Sequence, residues 1–147
     1  MVPTLLPGDI VLVNRLAYRL HTPRRGDIIA LRFPQASERE FVKRVIGLPG
    51  DVVKEQDGRF YVNGAVLAPA GMIAPEDERA LAVGQIPRLV PMGQIYVLGD
   101  NPEGSLDSRY WGTVDEQDVI GEAVFIFWSR GERWWNVRWD RIGRRLP

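Results

Sequence analysis

Short apolar runs bordered by glycine–aspartate pairs set the rhythm of this chain. Ile10-Val11-Leu12-Val13 follows the turn Pro7-Gly8-Asp9. Ile28 to Phe33 follows Arg25-Gly26-Asp27 and stops at Pro34, and Phe41 to Ile46 runs into Gly47-Leu48-Pro49-Gly50-Asp51. Short runs punctuated in this way read as strands of a sandwich or barrel. Next, Val52-Val53-Lys54 and Phe60-Tyr61-Val62 flank Gln56-Asp57-Gly58, which predicts a hairpin. Asn63-Gly64 adds a second tight turn, of the primed type that suits strand twist. Gln94 to Leu98 and Val119 to Trp128 read as later strands. Helical pattern is scarce. Pro75 to Leu81, with proline in its first turn, predicts one short helix, and Thr113 to Glu116 a helical turn before Asp118. No repeat, low-complexity stretch or linker interrupts the chain, so the pattern predicts a single, mainly β domain over residues 1–147, with coiled strands, long loops and few short helices.

Composition narrows the chemistry. A chain of 147 residues suits one domain with a real core. Gly 15 and Pro 11 agree with a turn-rich, strand-rich chain. Lys+Arg 19 balances Asp+Glu 19, which argues against a general nucleic-acid surface. The absence of cysteine excludes a thiol nucleophile, a disulfide frame and Cys-ligated zinc. The single histidine, His21, sits in Leu20-His21-Thr22-Pro23 and reads as a turn, so a Ser-His-Asp triad would rest on it alone. There is no HExxH and hence no common zinc-protease helix. No apolar run approaches the ~18 residues that span a bilayer. The opening Met1-Val2-Pro3-Thr4 resembles neither a signal nor a transit peptide, so the chain reads as soluble as it stands, or as cut from something longer.

Three segments concentrate reactive side chains: residues 1–9, 41–51 and 99–112. In a strand, Phe41, Lys43 and Val45 share one face, and Val42, Arg44 and Ile46 the other. Each face carries one base and two apolar residues, so alternation leaves open which cation is buried. A strand lysine usually snorkels to solvent. A desolvated one loses pKa towards neutrality and becomes a general base, which an arginine cannot do. The third segment holds two serines, two aspartates and an arginine between Asp100 and Arg109. It reads as a solvated turn with a local Asp107–Arg109 pair, or as a site in which Ser105 or Ser108 is a nucleophile or holds a lysine amine; spacing does not choose. In the aromatic tail, Phe125 and Phe127 are expected in the core. Trp128, Trp134, Trp135 and Trp139 suit either core or a membrane interface, where Arg138, Arg141, Arg144 and Arg145 would meet anionic lipid.

Together these segments resemble the bacterial type I signal peptidases. Met1-Val2-Pro3-Thr4-Leu5 with Gly8-Asp9 is similar to the family's opening box, without its serine. Arg25-Gly26-Asp27-Ile28, then Val42-Lys43-Arg44-Val45-Ile46-Gly47-Leu48-Pro49-Gly50-Asp51, resemble the next two. Gly99-Asp100-Asn101 through Ser105, Asp107-Ser108-Arg109 and Trp111-Gly112 resemble the last. These boxes span roughly residues 1 to 128, and Arg138 to Gly143 is also similar. The resemblance implies coiled antiparallel sheets and a serine–lysine dyad that removes signal peptides from exported preproteins after small-x-small sites. Lys43 would be the general base, Ser105 would orient its amine, and Asp100, Asp107 and Arg109 would support them. Met1, Leu5 and Val42 would line shallow pockets for the substrate's small side chains. No metal or cofactor is implied. The location would be the extracytoplasmic face of the cell membrane, with signal peptides as partners, no nucleic acid, and the tryptophan-rich tail able to touch the membrane.

Two departures stand out. The family serine falls immediately before Met1, outside this chain, together with an oxyanion-hole donor. The chain is therefore expected not to cleave by the family mechanism, and to be preceded in its natural context by the nucleophile and a membrane anchor. Pro102 stands where the family usually has arginine. Two other readings compete: a repressor-type self-cleaving serine–lysine protease, and a signal-peptidase-like module that binds exported chains without cleaving them.

Overall fold

The structure, a computed structural model, describes residues 1–33, 36–56, 58–67, 87–133 and 135–147. The helix predicted at 75–81, Asp57 of the hairpin turn and Trp134 lie outside these residues. Three glycine–aspartate corners fold alike. The amides of Asp9, Asp27 and Asp51 donate to the carbonyls of Leu6, Arg24 and Leu48 at 3.0, 3.1 and 2.9 Å. In return, each carboxylate accepts the amide of that same residue, at 2.8, 2.9 and 2.7 Å. The intervening glycines sit at φ 90°, 95° and 86°, the left-handed third position that a type II turn demands. The Gly-Asp pair thus closes the turn twice, and the corners that frame the apolar runs follow directly from it.

In chain order the elements are β1 (Asp9–Asn14), α1 (Ala17–Leu20), β2 (Ile28–Phe33), β3 (Ala36–Gly47), β4 (Val52–Gln56), β5 (Arg59–Val62), β6 (Ala65–Leu67) and β7 (Arg88–Leu89). There follow β8 (Gln94–Leu98), α2 (Ser108–Trp111), β9 (Val114–Asp115) and β10 (Val119–Ser129). Two antiparallel sheets result, one ordered β1-β10-β2-β3-β8-β9 and a smaller one ordered β6-β5-β4-β7. The predicted strands are all present, and the fold is mainly β with antiparallel sheets. β3 begins at Ala36 rather than Phe41, because Glu38, Arg39 and Glu40 are exposed and polar and carry no apolar signal. Asn63 and Gly64 both have positive φ, 52° and 82°, as the primed turn between β5 and β6 requires. The predicted turn at 113–116 is corrected: Val114–Asp115 pair with β8, and the 3-10 turn occupies Glu116–Asp118. The one-turn helices α1 and α2 are too short to leave a period in the sequence.

Three buried clusters hold the sheets. Ile46, Val53, Phe60, Val62, Val90, Tyr96 and Leu98 join the smaller sheet to β3 and β8. Ile29, Leu31, Val45, Ile95, Val97 and Val114 line one face of the larger sheet. Ile28, Ala123, Ile126 and Leu146 form the third, with Met1, Leu5, Val11 and Val42 packed against it. Phe127 corrects the expected core pair: it is 61% exposed, because its neighbour Ile126 takes the inward position on β10 at 0%. Phe125 is half-buried, and Trp128 rests edge-to-face on Trp139.

Candidate active site

Lys43 and Arg44 stand mid-strand on β3, on opposite faces, and both are buried, at 6% and 2% exposure. The choice between them that alternation posed is therefore no choice: β3 lies inside the sheet between β2 and β8, with both faces covered. What differs is the partner. Arg44 Nε and Nη2 donate to the two oxygens of Asp100, each at 2.8 Å, and Nη1 donates to Gly26 O at 2.9 Å. This buried cation is matched and satisfied. Lys43 has no such match among the described residues. Its Nζ donates to Ser105 Oγ at 2.9 Å and lies 5.4 Å from the centroid of the Phe41 ring. Burial drives the ammonium's pKa below 10.5; Asp107 opposes this, Arg109 reinforces it and Asp100 opposes it, with a net lowering.

The loop after β8 carries Ser105 to that amine. Gly99 leaves the room: a Cβ there would fall 2.1 Å from Ser105 Oγ and 2.6 Å from its Cβ. Asp107 and Arg109 brace the loop. Arg109 Nε donates to Asp107 Oδ1 at 2.8 Å and Nη2 to Oδ2 at 3.0 Å. Nη2 also holds the carbonyls of Pro102 at 2.6 Å and Ser105 at 3.3 Å. Asp107 Oδ2 accepts the Gly99 amide at 3.0 Å, so one carboxylate fixes both ends of the turn and caps α2. Ser108 is fully buried, and its Oγ accepts the Val97 amide at 2.9 Å, which removes it from the surface chemistry. Of the two serines the sequence left open, only Ser105 meets the lysine. Pro102 contributes only its carbonyl to the brace, so the departure at this position leaves the loop's support in place.

The opening segment forms the third wall. Met1, Leu5 and Val42 all pack on the cluster of Ile28, Ala123, Ile126 and Leu146, which brings the three expected substrate contacts to one apolar surface. Thr4 Oγ1 donates to Asp100 Oδ2, a link that leaves no trace in the sequence. Asp9 anchors the segment from behind. Arg141 Nη2 donates to Asp9 Oδ2 at 2.6 Å and to Thr4 O at 2.9 Å. Ser129 Oγ donates to Asp9 Oδ1 at 2.6 Å, and Arg138 Nη2 to Pro7 O at 2.7 Å. Arg138 and Arg141 are thus engaged with the protein itself, whereas Arg144 and Arg145 are exposed.

A cavity of about 1140 Å³ is lined by Thr4, Arg25, Arg44, Glu122 and Leu146 among others, but by neither Lys43 nor Ser105. Chemistry rather than volume therefore locates the candidate site. His21 is exposed at the end of α1, with Nδ1 3.2 Å from Thr22 O. A desolvated amine beside a hydroxyl, reached from an apolar wall, is equipped to take a proton from a nucleophile and return it to a leaving group.

Comparisons with known proteins point the same way. The family model described as "Signal peptidase, peptidase S26" matches residues 1–128. Signal peptidase I of Leptolyngbya laminosa is 39% identical over 135 residues, covering 87% of this chain and 64% of that protein. Probable signal peptidase I-1 of Synechocystis sp. is 35% identical over 150 residues, covering 97% and 71%. A solved signal peptidase I from Enterococcus faecalis is 34% identical with a TM-score of 0.57, over 69% of this chain and 96% of that one. The chain therefore spans a little under two thirds of the first of these relatives, 64% of its length.

Proposed function

Because the chain belongs to the signal peptidase family, peptidase S26, we propose that it is the catalytic domain of a serine endopeptidase that removes signal peptides from exported preproteins. Lys43 is the general base and Ser105 orients it. The nucleophile is a serine immediately before Met1, whose Oγ attacks the scissile carbonyl as Lys43 Nζ takes its proton and passes it to the leaving amine. Water then hydrolyses the acyl-enzyme. The observation that carries this reading is the buried 2.9 Å contact between Lys43 Nζ and Ser105 Oγ, with the amine's pKa lowered by burial. Met1, Leu5 and Val42 form the wall that accepts small side chains.

In this reading residues 1–147 are one domain on the extracytoplasmic face, tethered by an upstream anchor; among the described residues no helix is long and apolar enough to cross a membrane. Ile10, Phe127, Trp135 and Trp139, exposed at 55, 61, 60 and 72%, present large apolar side chains to lipid. Co-sedimentation with anionic vesicles that is unchanged by Trp139→Ser and Phe127→Ser would remove the lipid contact.

The deciding experiment assays the chain extended upstream through the anchor, with its Lys43→Ala variant, on a signal-peptide substrate with alanine at positions −3 and −1. Cleavage by the extended chain and none by Lys43→Ala is the expected result. A folded but inert extended chain that still binds the peptide turns the assignment to a binding module. Cleavage by the 147-residue chain that disappears in Ser105→Ala makes Ser105 the nucleophile instead.

A further inference from the structure

The opening segment is held in two unlike ways. Met1 and Leu5 pack on the cluster of Ile28, Ala123, Ile126 and Leu146, and apolar contact of this kind has no direction. It keeps the segment close but lets it slide. Hydrogen bonds supply the direction. Those from Arg141 to Thr4 O and from Arg138 to Pro7 O tie the segment to the tail. Among the described residues, the Thr4 hydroxyl alone ties it to the loop of Ser105, by donating to Asp100 Oδ2.

Asp100 is a fixed point. It is fully buried, and Arg44 occupies one site on each of its oxygens, at 2.8 Å, while holding Gly26 O at 2.9 Å. A carboxylate clamped by a bidentate guanidinium has little freedom, and an O–H···O⁻ bond to it is strong and directional. Arg44 follows Lys43 in β3, and Asp100 follows Gly99, whose bare Cα makes room for Ser105. Through Asp100, the Thr4 hydroxyl is thus tied both to the strand of the base and to the loop of the serine that orients it.

We propose that Thr4 is a positioning residue: its hydroxyl, on Asp100, sets where the opening segment stands relative to Lys43, and with it the nucleophile before Met1. The catalytic meaning rests on the function proposed above; the pinning of the segment does not. Loss of the hydroxyl leaves Met1 and Leu5 on their apolar cluster, so turnover should suffer and substrate binding should not.

The test uses Thr4→Val, which keeps the shape and loses the donor, and Thr4→Ser, which keeps the donor. In the extended chain, with rates taken per folded molecule below every unfolding transition, Thr4→Val should lose about 10²-fold in kcat on the signal-peptide substrate at nearly unchanged KM. Thr4→Ser should recover most of this. A purely stabilising hydroxyl would lower Tm and leave kcat per folded molecule alone. Wild-type kcat in folded Thr4→Val, or a Thr4→Ser as slow as Thr4→Val, overturns the positioning role. The pinning is read without activity in the 147-residue chain, from hydrogen exchange at the Leu5 amide, which donates to Met1 O at 2.9 Å. Exchange should quicken in Thr4→Val and slow again in Thr4→Ser, with the Asp27 amide of the second corner unchanged. The same Leu5 exchange in Thr4→Val as in the wild type overturns the pinning. An extended wild type that never cleaves refutes the proposed peptidase and takes the positioning role with it, and Leu5 exchange alone then decides whether Thr4 holds the segment.

Discussion

Lys43 and Gly99 carry the site at the scale of single residues. Removing a general base costs roughly 10²–10⁴ in rate, and Lys43→Arg should lose as much as Lys43→Ala, because a guanidinium stays charged where an amine can shed its proton. The sign of the pH dependence follows from the lowered pKa: the base form grows as pH rises, so kcat/KM of the extended chain should climb along a limb with its midpoint below 10.5. A midpoint at or above that value would mean that the lysine is not desolvated in the working enzyme. Gly99 tests the geometry independently of charge. A methyl at its Cα would overlap Ser105 Oγ at 2.1 Å, so Gly99→Ala should break the Lys43–Ser105 contact and cost about 10²-fold in kcat, with the overpacked loop losing roughly 1–3 kcal/mol. Activity retained beside a lowered Tm would show that Ser105 has room to shift. Alternation and spacing named both halves of this pair but not their meeting, which only the family resemblance implied. Strand alternation cannot tell Lys43 from Arg44 when both faces of β3 are buried, and Ser105 and Ser108 are indistinguishable until the Val97 amide claims one of them.

Elements were legible where turn chemistry and alternation agreed. The Gly-Asp corners delivered β1, β2 and the end of β3 because the same two residues close the turn through backbone and side chain. The first residues of β3 were not legible: Glu38, Arg39 and Glu40 are exposed and charged and carry no apolar alternation. β4 shows a subtler failure. The pattern places Glu55 on the inward face, and nothing in the sequence marks it as an acid that would stay buried. Its pKa, raised from 4.5 to about 7, makes stability fall with pH, since the folded state holds the proton that the unfolded chain releases. The loss begins near pH 4.5 and levels off above 7. Urea unfolding of the wild type across this window should show a decline on the order of 2–3 kcal/mol, and Glu55→Gln should flatten it and be the more stable protein at pH 8. Parallel pH curves for the two proteins would place the Glu55 carboxyl in contact with water.

At the scale of the whole molecule, the two chain ends are fastened to each other beside the site. Arg141 and Arg138 hold Asp9 and the carbonyls of Thr4 and Pro7, and Thr4 reaches Asp100, which in turn pairs with Arg44 next to Lys43. Leu146 donates its amide to Val124 O at 2.9 Å and fills the cluster under Met1 and Leu5. The sequence recorded the similarity of Arg138 to Gly143 to the family but offered these arginines to lipid, because a cation's partner some 130 positions away leaves no local trace. The consequence is that the tail determines where the opening segment lies, although it is remote in sequence from every catalytic group. Arg141→Ala would leave the buried Asp9 carboxylate with its more distant cationic partner, Arg138 at 3.3 Å, and the loss of the charged hydrogen bonds should cost roughly 1.5–3 kcal/mol. Because Asp9 closes the first corner, the amides of Leu6 and Asp9 should also exchange hydrogen faster than those of the second corner, Arg24 and Asp27, which has its own carboxylate. Arg141→Lys, which keeps one charge but loses the fork between Asp9 and Thr4 O, should recover part of the stability and little of the protection. If both variants lose stability while the amides of Leu6 and Asp9 stay as protected as those of Arg24 and Asp27, the tail supports the fold without holding the opening segment, and the proposed substrate wall of Met1 and Leu5 must owe its position to the apolar cluster alone.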